Sequence, residues 1–392
     1  MSAIPPLDLT RQFQTISAEV NEAVLAVLAS GQYINGPLVQ QFEQAFAAYI
    51  GTAEAIACNS GTDALYLALR AYDIGAGDEV ITTPFTFIAS AETISQAQAT
   101  PVFVDIDPAT FNLDLEQVEA AITPRTKAII PVHLFGQPVD MTRLMAIAQA
   151  HNLIVIEDSA QAAGAEWNGQ RVGSIGQVGC FSFFPTKNLG ACGDGGAVTT
   201  SDPAIAARIR ALREHGSRTR YYHDEIGLTS RLDAVQAAIL QVKLRYLETW
   251  NEQRRAIAAR YTELLRPIPG VIPPLPAPGG KSVWHQYTIR LSPRPANTVG
   301  GEYRDRVRQA MQQQGISSMI YYPLPLHLQK VYEPLGYGPG SFPVAEQLCH
   351  EVLSLPMFPE LTPEQQERVV YALKDSLNEN LNSSSQFSQA AL

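Results

Sequence analysis

Between residues 54 and 200, short runs rich in β-branched and apolar residues alternate with longer segments of helical periodicity. This alternation is typical of βαβ units, in which crossover helices cover both faces of a mainly parallel sheet. Helical segments begin at residues 62 and 142, and strand candidates begin at residues 79, 101, 127, 152, 178 and 196. The predicted fold class is therefore α/β, with a large domain over residues 1–245 that includes an N-terminal helical arm.

A different pattern follows the large domain. Residues 231–265 show uninterrupted helical periodicity, and we expect one long helix that crosses into a second domain. Prolines repeat through residues 266–281, which predicts an extended connector. Beyond the connector, a smaller α+β domain is predicted to extend to residue 375. Its expected strands are VWHQYTIRL and ISSMIYY, and its expected helices lie near 303–314, 343–354 and 362–375.

The last residues, 376–392, are rich in Ser, Asn and Gln and poor in bulky apolar side chains. Such a segment buries too little apolar surface to offset the entropy lost when it becomes ordered. We therefore predict that the small domain covers residues 246–375 and that a disordered tail follows it.

The charge balance argues against several classes of partner. The chain has 38 Asp and Glu residues against 28 Lys and Arg residues, and this net charge of −10 disfavours nucleic acid and anionic lipid. No run reaches the roughly 18 apolar residues that a membrane span requires, and the first residues lack the pattern of a secretion signal. We expect a cytoplasmic protein without a membrane partner.

The cysteines and histidines form no metal-binding pattern. The four cysteines are dispersed without a CxxC pair, and the seven histidines include no HExxH motif. We expect no metal site and reduced, buried thiols at Cys58, Cys180, Cys192 and Cys349.

The segment CFSFFPTKNLG, residues 180–190, carries the most informative side chain. Lys187 follows an apolar strand and a Phe-Pro turn, so its surroundings have low polarity. Such surroundings disfavour the charged ammonium, and the free amine is the form that makes a Schiff base. A surface lysine at a turn is the ordinary alternative.

Carboxylates end the strand candidate in NLIVIEDSAQA, residues 152–162. Ligands of open α/β sheets bind at the carboxyl ends of strands, and a carboxylate there suits the pyridine nitrogen of pyridoxal phosphate (PLP). Because side chains alternate along a strand, Glu157 and Asp158 point to opposite sides, and the strand pattern leaves open which of them faces a ligand. Gln161 is a candidate contact for a ring substituent.

A third pattern suits a phosphate group. In NSGTDALYLALR, residues 59–70, Ser60, Gly61 and Thr62 stand at the start of an amphipathic helix, where free backbone N–H groups attract anions. An ordinary N-cap at Ser60 or Thr62 is the alternative. Ser182 can add a hydroxyl to the phosphate site, and the aromatic residues of TTPFTFIAS can stack on a flat ring.

Together these segments resemble the DegT/DnrJ/EryC1/StrS group of PLP-dependent nucleotide-sugar aminotransferases. The resemblance covers about residues 5–375 and implies the large PLP-binding domain and smaller C-terminal domain of fold type I PLP enzymes. It also implies pyridoxamine phosphate as the second form of the cofactor. The segments that match, in the family's order, are NSGTDAL, GAGDEVITTPFTFIASAETI, ATPVFVDIDPATFNLD, IPVHLFGQPVDM, VIEDSAQAAGA and FSFFPTKNLGACGDGGAVTT.

The resemblance implies roles for individual residues. Lys187 matches the lysine that binds PLP and moves the proton, and it argues against the dehydratase members, which have histidine there. Asp158 rather than Glu157 matches the partner of the pyridine nitrogen, and Phe87 rather than Phe85 matches the ring that stacks on PLP. The other matched cofactor contacts are Gln161 for the ring oxygen and Gly61, Thr62 and Ser182 for the phosphate.

Residues 220–240 depart from the family, which usually reads Gly-x-Asn-x-Arg there. Thr229 replaces the asparagine that reaches the cofactor phosphate of the neighbouring subunit. Its hydroxyl can donate one hydrogen bond, with a shorter reach. Arg231 matches the arginine that holds a substrate carboxylate. The family pattern implies a homodimer with two shared active sites.

The segment GISSMIYYPLPLHLQKVY, residues 315–332, resembles the family's substrate loop, with Tyr322 and His327 as predicted substrate contacts. A proline-stiffened connector with one buried histidine is the alternative. The loop is most similar to members that aminate C3 of 3-oxo sugars.

The predicted reaction therefore moves the amino group of L-glutamate to a nucleotide-linked 3-oxo sugar, such as a UDP-2-acetamido-3-oxo-glucuronate or a dTDP-3-oxo-6-deoxyhexose. One alternative is amination at C4 of a 4-oxo-6-deoxy sugar. Another is a non-catalytic sensor that binds PLP or a nucleotide sugar. A PLP-dependent aldolase or decarboxylase is a third.

Overall fold

A computed structural model describes residues 3–293 and 298–389 of the chain. Its strands are β1 (Glu54–Cys58), β2 (Glu79–Thr82), β3 (Thr100–Phe103), β4 (Thr126–Ile129), β5 (Ile154–Asp158), β6 (Glu166–Trp167), β7 (Gln170–Arg171), β8 (Val178–Ser182), β9 (Gly196–Thr200), β10 (Val271–Ile272), β11 (Gly280–Lys281), β12 (Tyr287–Leu291) and β13 (Val352–Leu355). Its α-helices are α1 (Leu9–Ser30), α2 (Pro37–Ile50), α3 (Gly61–Ala71), α4 (Ala89–Gln96), α5 (Leu115–Ala121), α6 (Met141–His151), α7 (Pro203–Leu212), α8 (Ala234–Leu244), α9 (Leu247–Leu265), α10 (Glu302–Gln313), α11 (Pro343–Glu351) and α12 (Pro363–Gln389). Short 3₁₀ helices lie at Leu134–Gly136, Leu326–Leu328 and Lys330–Leu335.

The largest sheet has the strand order β1-β9-β8-β5-β4-β2-β3. The pairs from β8 to β3 are parallel, and β9 pairs antiparallel with both β8 and β1. Strands β2 and β9 are buried at every residue, as expected when helices cover both faces of a sheet. The predicted α/β fold with a mainly parallel sheet is confirmed, and the structure adds the antiparallel edge formed by β9 and β1.

A second, antiparallel sheet has the order β10-β12-β13 and packs in a core that contains Tyr261, Tyr287 and Phe358. One carboxylate ties this part of the chain to the main sheet. Asp105, two residues after β3, accepts hydrogen bonds from the backbone N–H groups of Val344 and Ala345, both at 2.9 Å. It thereby caps the first turn of α11. The predicted division of the chain after residue 245 stays a prediction.

The predicted single helix over residues 231–265 is wrong, because a tight turn separates α8 from α9. The backbone N–H groups of Arg245 and Tyr246 donate to carbonyls only three residues earlier, at 3.2 and 3.0 Å. This turn interrupts the α-helical ladder. Leu247 and Trp250 are buried beyond the turn, so the apolar periodicity continues across it and hides the break.

The predicted strand ISSMIYY is also absent from the described residues. Ile316 forms an isolated bridge with Ile4, and Met319 forms another with Ser354, but no ladder extends between them. Pro323 follows directly and cannot donate a ladder hydrogen bond. In the same region, the helix predicted at 343–354 ends at Glu351 because β13 begins at Val352.

The C-terminal segment differs from its prediction as well. Helix α12 passes through Ser376 and ends at Gln389, where disorder was predicted. Leu377 packs in the core of the second sheet and supplies the apolar burial that the composition of the tail did not suggest. Residues 390–392 of the predicted tail lie outside the described residues.

Two expectations about chemistry bear on the surface. Cys58, Cys180 and Cys349 are buried free thiols, whereas Cys192 is exposed, contrary to its prediction. Among the residues that the structure describes, no helix is both long and apolar enough to cross a bilayer.

Candidate active site

A cavity of about 390 Å³ opens at the carboxyl ends of β5 and β8, beside the start of α3. This is the edge at which ligands of open α/β sheets bind. The residues predicted for the site that line the cavity are Ser60, Gly61, Thr62, Phe87, Asp158, Gln161, Ser182, Lys187 and Tyr322. Segments that are far apart in sequence therefore line the same cavity.

Lys187 lies in the turn that follows β8, where its backbone N–H donates to the carbonyl of Phe184 at 2.8 Å. Burial lowers the pKa of its amine to about 8, and the nearby carboxylate of Asp158 offsets part of that effect. No described residue makes a hydrogen bond or salt bridge with Nζ. The side chain therefore offers an amine without a hydrogen-bond partner among the described residues, and a pKa of about 8 leaves roughly a tenth of it uncharged at pH 7.

Glu157 and Asp158 point to opposite faces of the sheet, and Glu157 faces away from the cavity. Its carboxylate accepts hydrogen bonds from the backbone N–H groups of Gly173, Ile175 and Gly176 at 2.7–2.8 Å. It also pairs with His133 Nε2 at 3.0 Å. These contacts fill the acceptor positions of Glu157, which holds the loop before β8 in place.

Asp158 is the carboxylate that lines the cavity. Ser90 Oγ donates to it at 2.7 Å and the backbone N–H of Ala160 at 3.2 Å. Burial nevertheless raises the pKa of Asp158, because these bonds and the charge of Lys187 do not fully compensate for the lost hydration. A cationic partner inside the cavity would stabilise the ionised carboxylate.

The start of α3 approaches β8 closely. A Cβ atom on Gly61 would lie 2.7 Å from the Cβ of Ser182, so only glycine fits at this contact. The side chain of Ser60 accepts from the N–H of Asp63 at 3.0 Å, which makes Ser60 the N-cap of the helix. The first N–H groups of the helix have no intrahelical acceptor and are suited to an anion.

Gln161 has a fixed orientation at the floor of the cavity. Its Oε1 accepts from the backbone N–H of Phe135 at 2.6 Å, so its amide nitrogen turns toward the cavity and donates to the hydroxyl of Tyr322 at 3.4 Å.

The two candidate aromatic residues, Phe87 and Phe85, differ in their exposure. Phe87 lines the cavity and is 57% exposed, whereas Phe85 is fully buried in a cluster of aromatic rings.

The three other predicted site residues do not line the cavity of their own chain. Thr229 Oγ1 contacts His215 Nε2 at 2.5 Å, and Arg231 forms a salt bridge with Glu214 at 3.1 Å. His327 is buried, pairs with Glu346 at 3.0 Å and packs against Phe342. His327 is thus buried, as the alternative of a buried histidine in a connector describes, and its contact with a substrate stays a prediction.

Several cavity residues were not predicted. Ser90 fixes Asp158 from α4, and its only sequence signal is its position one helical turn after the predicted Phe87. His285 has no local signal, because its hydrogen-bond partner, Asn188, lies far away in sequence. The further unpredicted lining residues with polar side chains are Thr86, Thr186, Asp194, Gln286 and Tyr321.

The residues of the cavity fit PLP in three respects. Lys187 supplies an amine with a lowered pKa, and Asp158 is a buried carboxylate that forms no salt bridge with any described residue. At Gly61 a side chain is sterically excluded, which leaves the backbone N–H groups open to a phosphate. These are the three groups that PLP requires for its aldehyde, its ring nitrogen and its phosphate.

Comparison with known proteins gives a consistent result. The profile of the DegT/DnrJ/EryC1/StrS aminotransferase family matches residues 14–374. A pleiotropic regulatory protein of Geobacillus stearothermophilus is 51% identical over 94% of this chain and 96% of its own length. The UDP-N-acetyl-3-dehydro-α-D-glucosamine 3-aminotransferase of Acidithiobacillus ferrooxidans is 48% identical over 96% of this chain and 99% of its own.

A solved structure is also closely similar. The crystal structure of S. venezuelae DesV in complex with a ketimine intermediate superposes with a TM-score of 0.91 and 45% sequence identity. The superposition covers 96% of this chain and 98% of that chain.

Proposed function

Because this chain belongs to the DegT/DnrJ/EryC1/StrS aminotransferase family and is a PLP-dependent aminotransferase, we propose that it transfers the amino group of L-glutamate to a nucleotide-linked 3-oxo sugar. The observation that carries the proposal is the convergence of Lys187, Asp158 and the Gly61–Ser182 contact in one cavity. The choice of C3 is supported by the Acidithiobacillus relative, whose name specifies a 3-aminotransferase.

When bound, PLP supplies an electron sink that stabilises negative charge on a substrate carbon that loses a proton. Lys187 holds the cofactor covalently and is released when the amino group of the donor takes its place. Its amine would then move the proton from the donor carbon to the cofactor carbon that bears the nitrogen, and it would run the same transfer in reverse to aminate the sugar. A pKa lowered to about 8 serves both steps, because it brings the uncharged amine closer to neutral pH than the pKa of an exposed lysine does.

Asp158 keeps a proton on the pyridine nitrogen, and Ser90 holds the carboxylate in place for this role. Gln161 donates its free amide N–H to the ring oxygen, since its carbonyl is already bonded to Phe135. The phosphate lies at the backbone N–H groups of Gly61 and Thr62. The hydroxyls proposed to complete that site are those of Ser182, Thr62 and, secondarily, Ser60.

Phe87 stacks on the face of the cofactor ring, which suits its large exposed area beside the cavity. Tyr322 also lines the cavity and contacts Gln161, so it can touch a substrate that enters next to the cofactor. His327 acts only indirectly, because its ring is bonded to Glu346 outside the cavity.

The proposal includes a homodimer, in which Thr229 and Arg231 serve the partner's site. Neither side chain reaches the cavity of its own chain, so a direct role requires a neighbour. Arg231 is partly exposed and makes one salt bridge, to Glu214, that a substrate carboxylate can replace. The carboxylate of glutamate is the proposed occupant.

A two-stage assay tests the donor and the sugar separately. The protein is loaded with PLP and mixed with L-glutamate, and the loss of lysine-bound PLP absorption is followed together with 2-oxoglutarate. A 3-oxo or a 4-oxo nucleotide sugar is then added to the washed protein. We expect the 3-oxo sugar to restore the absorption and to yield an amino sugar by mass spectrometry, with Lys187→Ala as the inactive control.

Each alternative has its own outcome in this assay. Recovery of the absorption only with the 4-oxo sugar would show that the protein aminates C4 rather than C3. The regulatory name of the Geobacillus relative makes the sensor worth testing, and a protein that binds PLP yet does not respond to any amino donor would support it.

A further inference from the structure

Ser230 is a fully buried serine between Thr229 and Arg231, the two residues that are proposed to serve the partner's site. Its Oγ accepts a hydrogen bond from the backbone N–H of Asn59 at 3.1 Å and donates one to Asp63 Oδ2 at 2.6 Å. Both of these contacts lie at the start of α3, next to the proposed phosphate site. One hydroxyl therefore joins the segment offered to a neighbouring subunit to the phosphate end of the cavity in its own chain.

The chemistry of the groups fixes the direction of both hydrogen bonds. A backbone N–H can only donate, so the oxygen of Ser230 is the acceptor toward Asn59. The single hydroxyl proton then goes to the carboxylate of Asp63, and the distance of 2.6 Å is typical of a charge-assisted bond. Because Ser230 is buried, water does not compete for either contact.

Asp63 places a negative charge in the first turn of a helix whose start is proposed to bind a phosphate. Its backbone N–H is capped by the side chain of Ser60 at 3.0 Å, and its own side chain does not line the cavity. Within the described parts of the chain, its carboxylate forms no salt bridge. The hydroxyl of Ser230 is therefore the group that fixes the direction of this carboxylate and keeps it outside the cavity.

The other side of Ser230 is held by contacts with the chain that follows α7. Its backbone N–H donates to the carbonyl of Arg213 at 3.0 Å, and Thr229 forms an isolated bridge with Glu214. Glu214 also pairs with Arg231. The segment 229–231 is thus fixed to the end of α7 on one side and, through the side chain of Ser230, to α3 on the other.

We propose that Ser230 is a positioning residue with two effects. It holds the carboxylate of Asp63 away from the cofactor phosphate, because a negative charge that is free to approach the phosphate weakens its binding. It also fixes the segment from which Arg231 reaches the partner's site, because a loose segment must be ordered at a cost in entropy when the donor binds. The second effect rests on the proposed function, in which Arg231 binds glutamate across the dimer.

The first effect is tested with pyridoxamine phosphate, which binds without a covalent bond to the protein. Calorimetric titration of the apoprotein gives the dissociation constant for the native protein, Ser230→Ala, Asp63→Asn and the double variant. We expect Ser230→Ala to weaken binding about tenfold, because the carboxylate of Asp63 can then turn toward the phosphate. Asp63→Asn removes that charge, so the double variant should regain most of the lost affinity.

A purely structural role of Ser230 predicts a different pattern. The two substitutions would then add to each other, and a double variant that binds no better than Ser230→Ala would overturn the proposal. Unchanged affinity in a folded Ser230→Ala variant would also overturn it. Circular dichroism and the thermal midpoint check folding.

Ser354→Ala is the matched control for the loss of a buried hydroxyl. Ser354 is also buried, and its Oγ lies 2.8 Å from Thr288 Oγ1, but it belongs to the second sheet. This variant should bind pyridoxamine phosphate with the affinity of the native protein. A loss as large as that of Ser230→Ala would contradict a specific role of Ser230.

The second effect is measured as the KM for glutamate at saturating PLP. Ser230→Ala should raise this KM about five- to tenfold with a smaller change in kcat. Asp63→Asn should not reverse the rise, because the segment that carries Arg231 stays unanchored. A double variant with the native KM would overturn this part of the proposal.

Arg231→Met separates a failure of this proposal from a failure of the proposed function. If Arg231→Met raises the KM for glutamate and Ser230→Ala does not, the coupling through Ser230 is wrong. If neither variant changes the KM, the proposed role of Arg231 fails and the second effect fails with it. The titration with pyridoxamine phosphate uses neither glutamate nor a sugar, so it decides the first effect in either case.

Discussion

The side of the cavity that is proposed to bind the cofactor, here called the cofactor wall, contrasts with the residues assigned to the substrate. This wall is formed by residues 60–62, Phe87, Asp158, Gln161, Ser182 and Lys187. The cofactor wall assembles within one chain around the carboxyl ends of adjacent strands. Of the assigned substrate contacts, only Tyr322 reaches the same cavity, while Arg231 and His327 are paired elsewhere. Sheet topology therefore determines where the cavity forms, whereas the residues assigned to the substrate depend on loops and, in the proposed homodimer, on a partner subunit.

The largest effect is expected at the centre of the cofactor wall. Lys187→Ala removes both the covalent attachment and the proton carrier, and we expect turnover to fall at least about 1,000-fold. The variant should still bind PLP non-covalently, which dialysis and absorption spectra can check. Turnover within tenfold of the native protein would remove Lys187 from its proposed role.

The next prediction compares two neighbouring carboxylates. Asp158→Asn should lower turnover by about 100-fold or more with little effect on folding, because it removes the charge that holds the ring proton. Glu157→Gln should have the opposite profile, with a loss of about 2–4 kcal/mol in unfolding free energy because buried N–H donors lose their acceptor. Chemical denaturation and turnover of both variants give the comparison, and a reversed pattern would exchange the roles.

A smaller effect is expected for the residue assigned to the partner's site. Arg231→Met should raise the KM for glutamate by about 10- to 100-fold, the value of a charged hydrogen bond, with a lesser change in kcat. Glu214→Gln is the matched control, because it frees Arg231 and should leave that KM equal or lower. An unchanged KM in Arg231→Met would assign the glutamate carboxylate to another group.

The smallest catalytic effect is expected at His327. His327→Asn should leave the kcat and the KM for the sugar within about threefold, while the lost contact with Glu346 lowers the unfolding free energy by about 1–3 kcal/mol. Tyr322→Phe is the comparison inside the cavity and should change the kinetics more. A larger kinetic effect for His327→Asn than for Tyr322→Phe would support a direct contact between His327 and the substrate.

Local patterns and the family resemblance were sufficient to predict a group of residues that line one cavity. Alternation along β5 shows that Glu157 and Asp158 point to opposite sides of the sheet, and Asp158, which the family resemblance assigned to the cofactor, is the one that lines the cavity. The same holds for Phe87 over Phe85. The positions of these residues depend on strand direction and on the order of elements along the chain, and both can be inferred from the sequence.

Other features depend on contacts that no local pattern records. The break at Arg245 and Tyr246 interrupts a helix whose apolar periodicity continues on both sides. The hydrogen bond from His285 to Asn188 joins residues that are 97 positions apart. Burial of Leu377 in the core depends on the tertiary position of α12, which the polar composition of that segment concealed.

The close approach of Gly61 to Ser182 excludes a side chain, so backbone N–H groups form the proposed phosphate site. Their hydrogen bonds to a phosphate do not depend on the protonation of a side chain. Main-chain N–H groups carry no titrating proton in the range where Lys187, with a pKa near 8, changes its charge. The groups proposed to bind the phosphate are therefore different from the amine that reacts. A change in pH can therefore alter the charge of the amine while the proposed backbone contacts to the phosphate are unchanged.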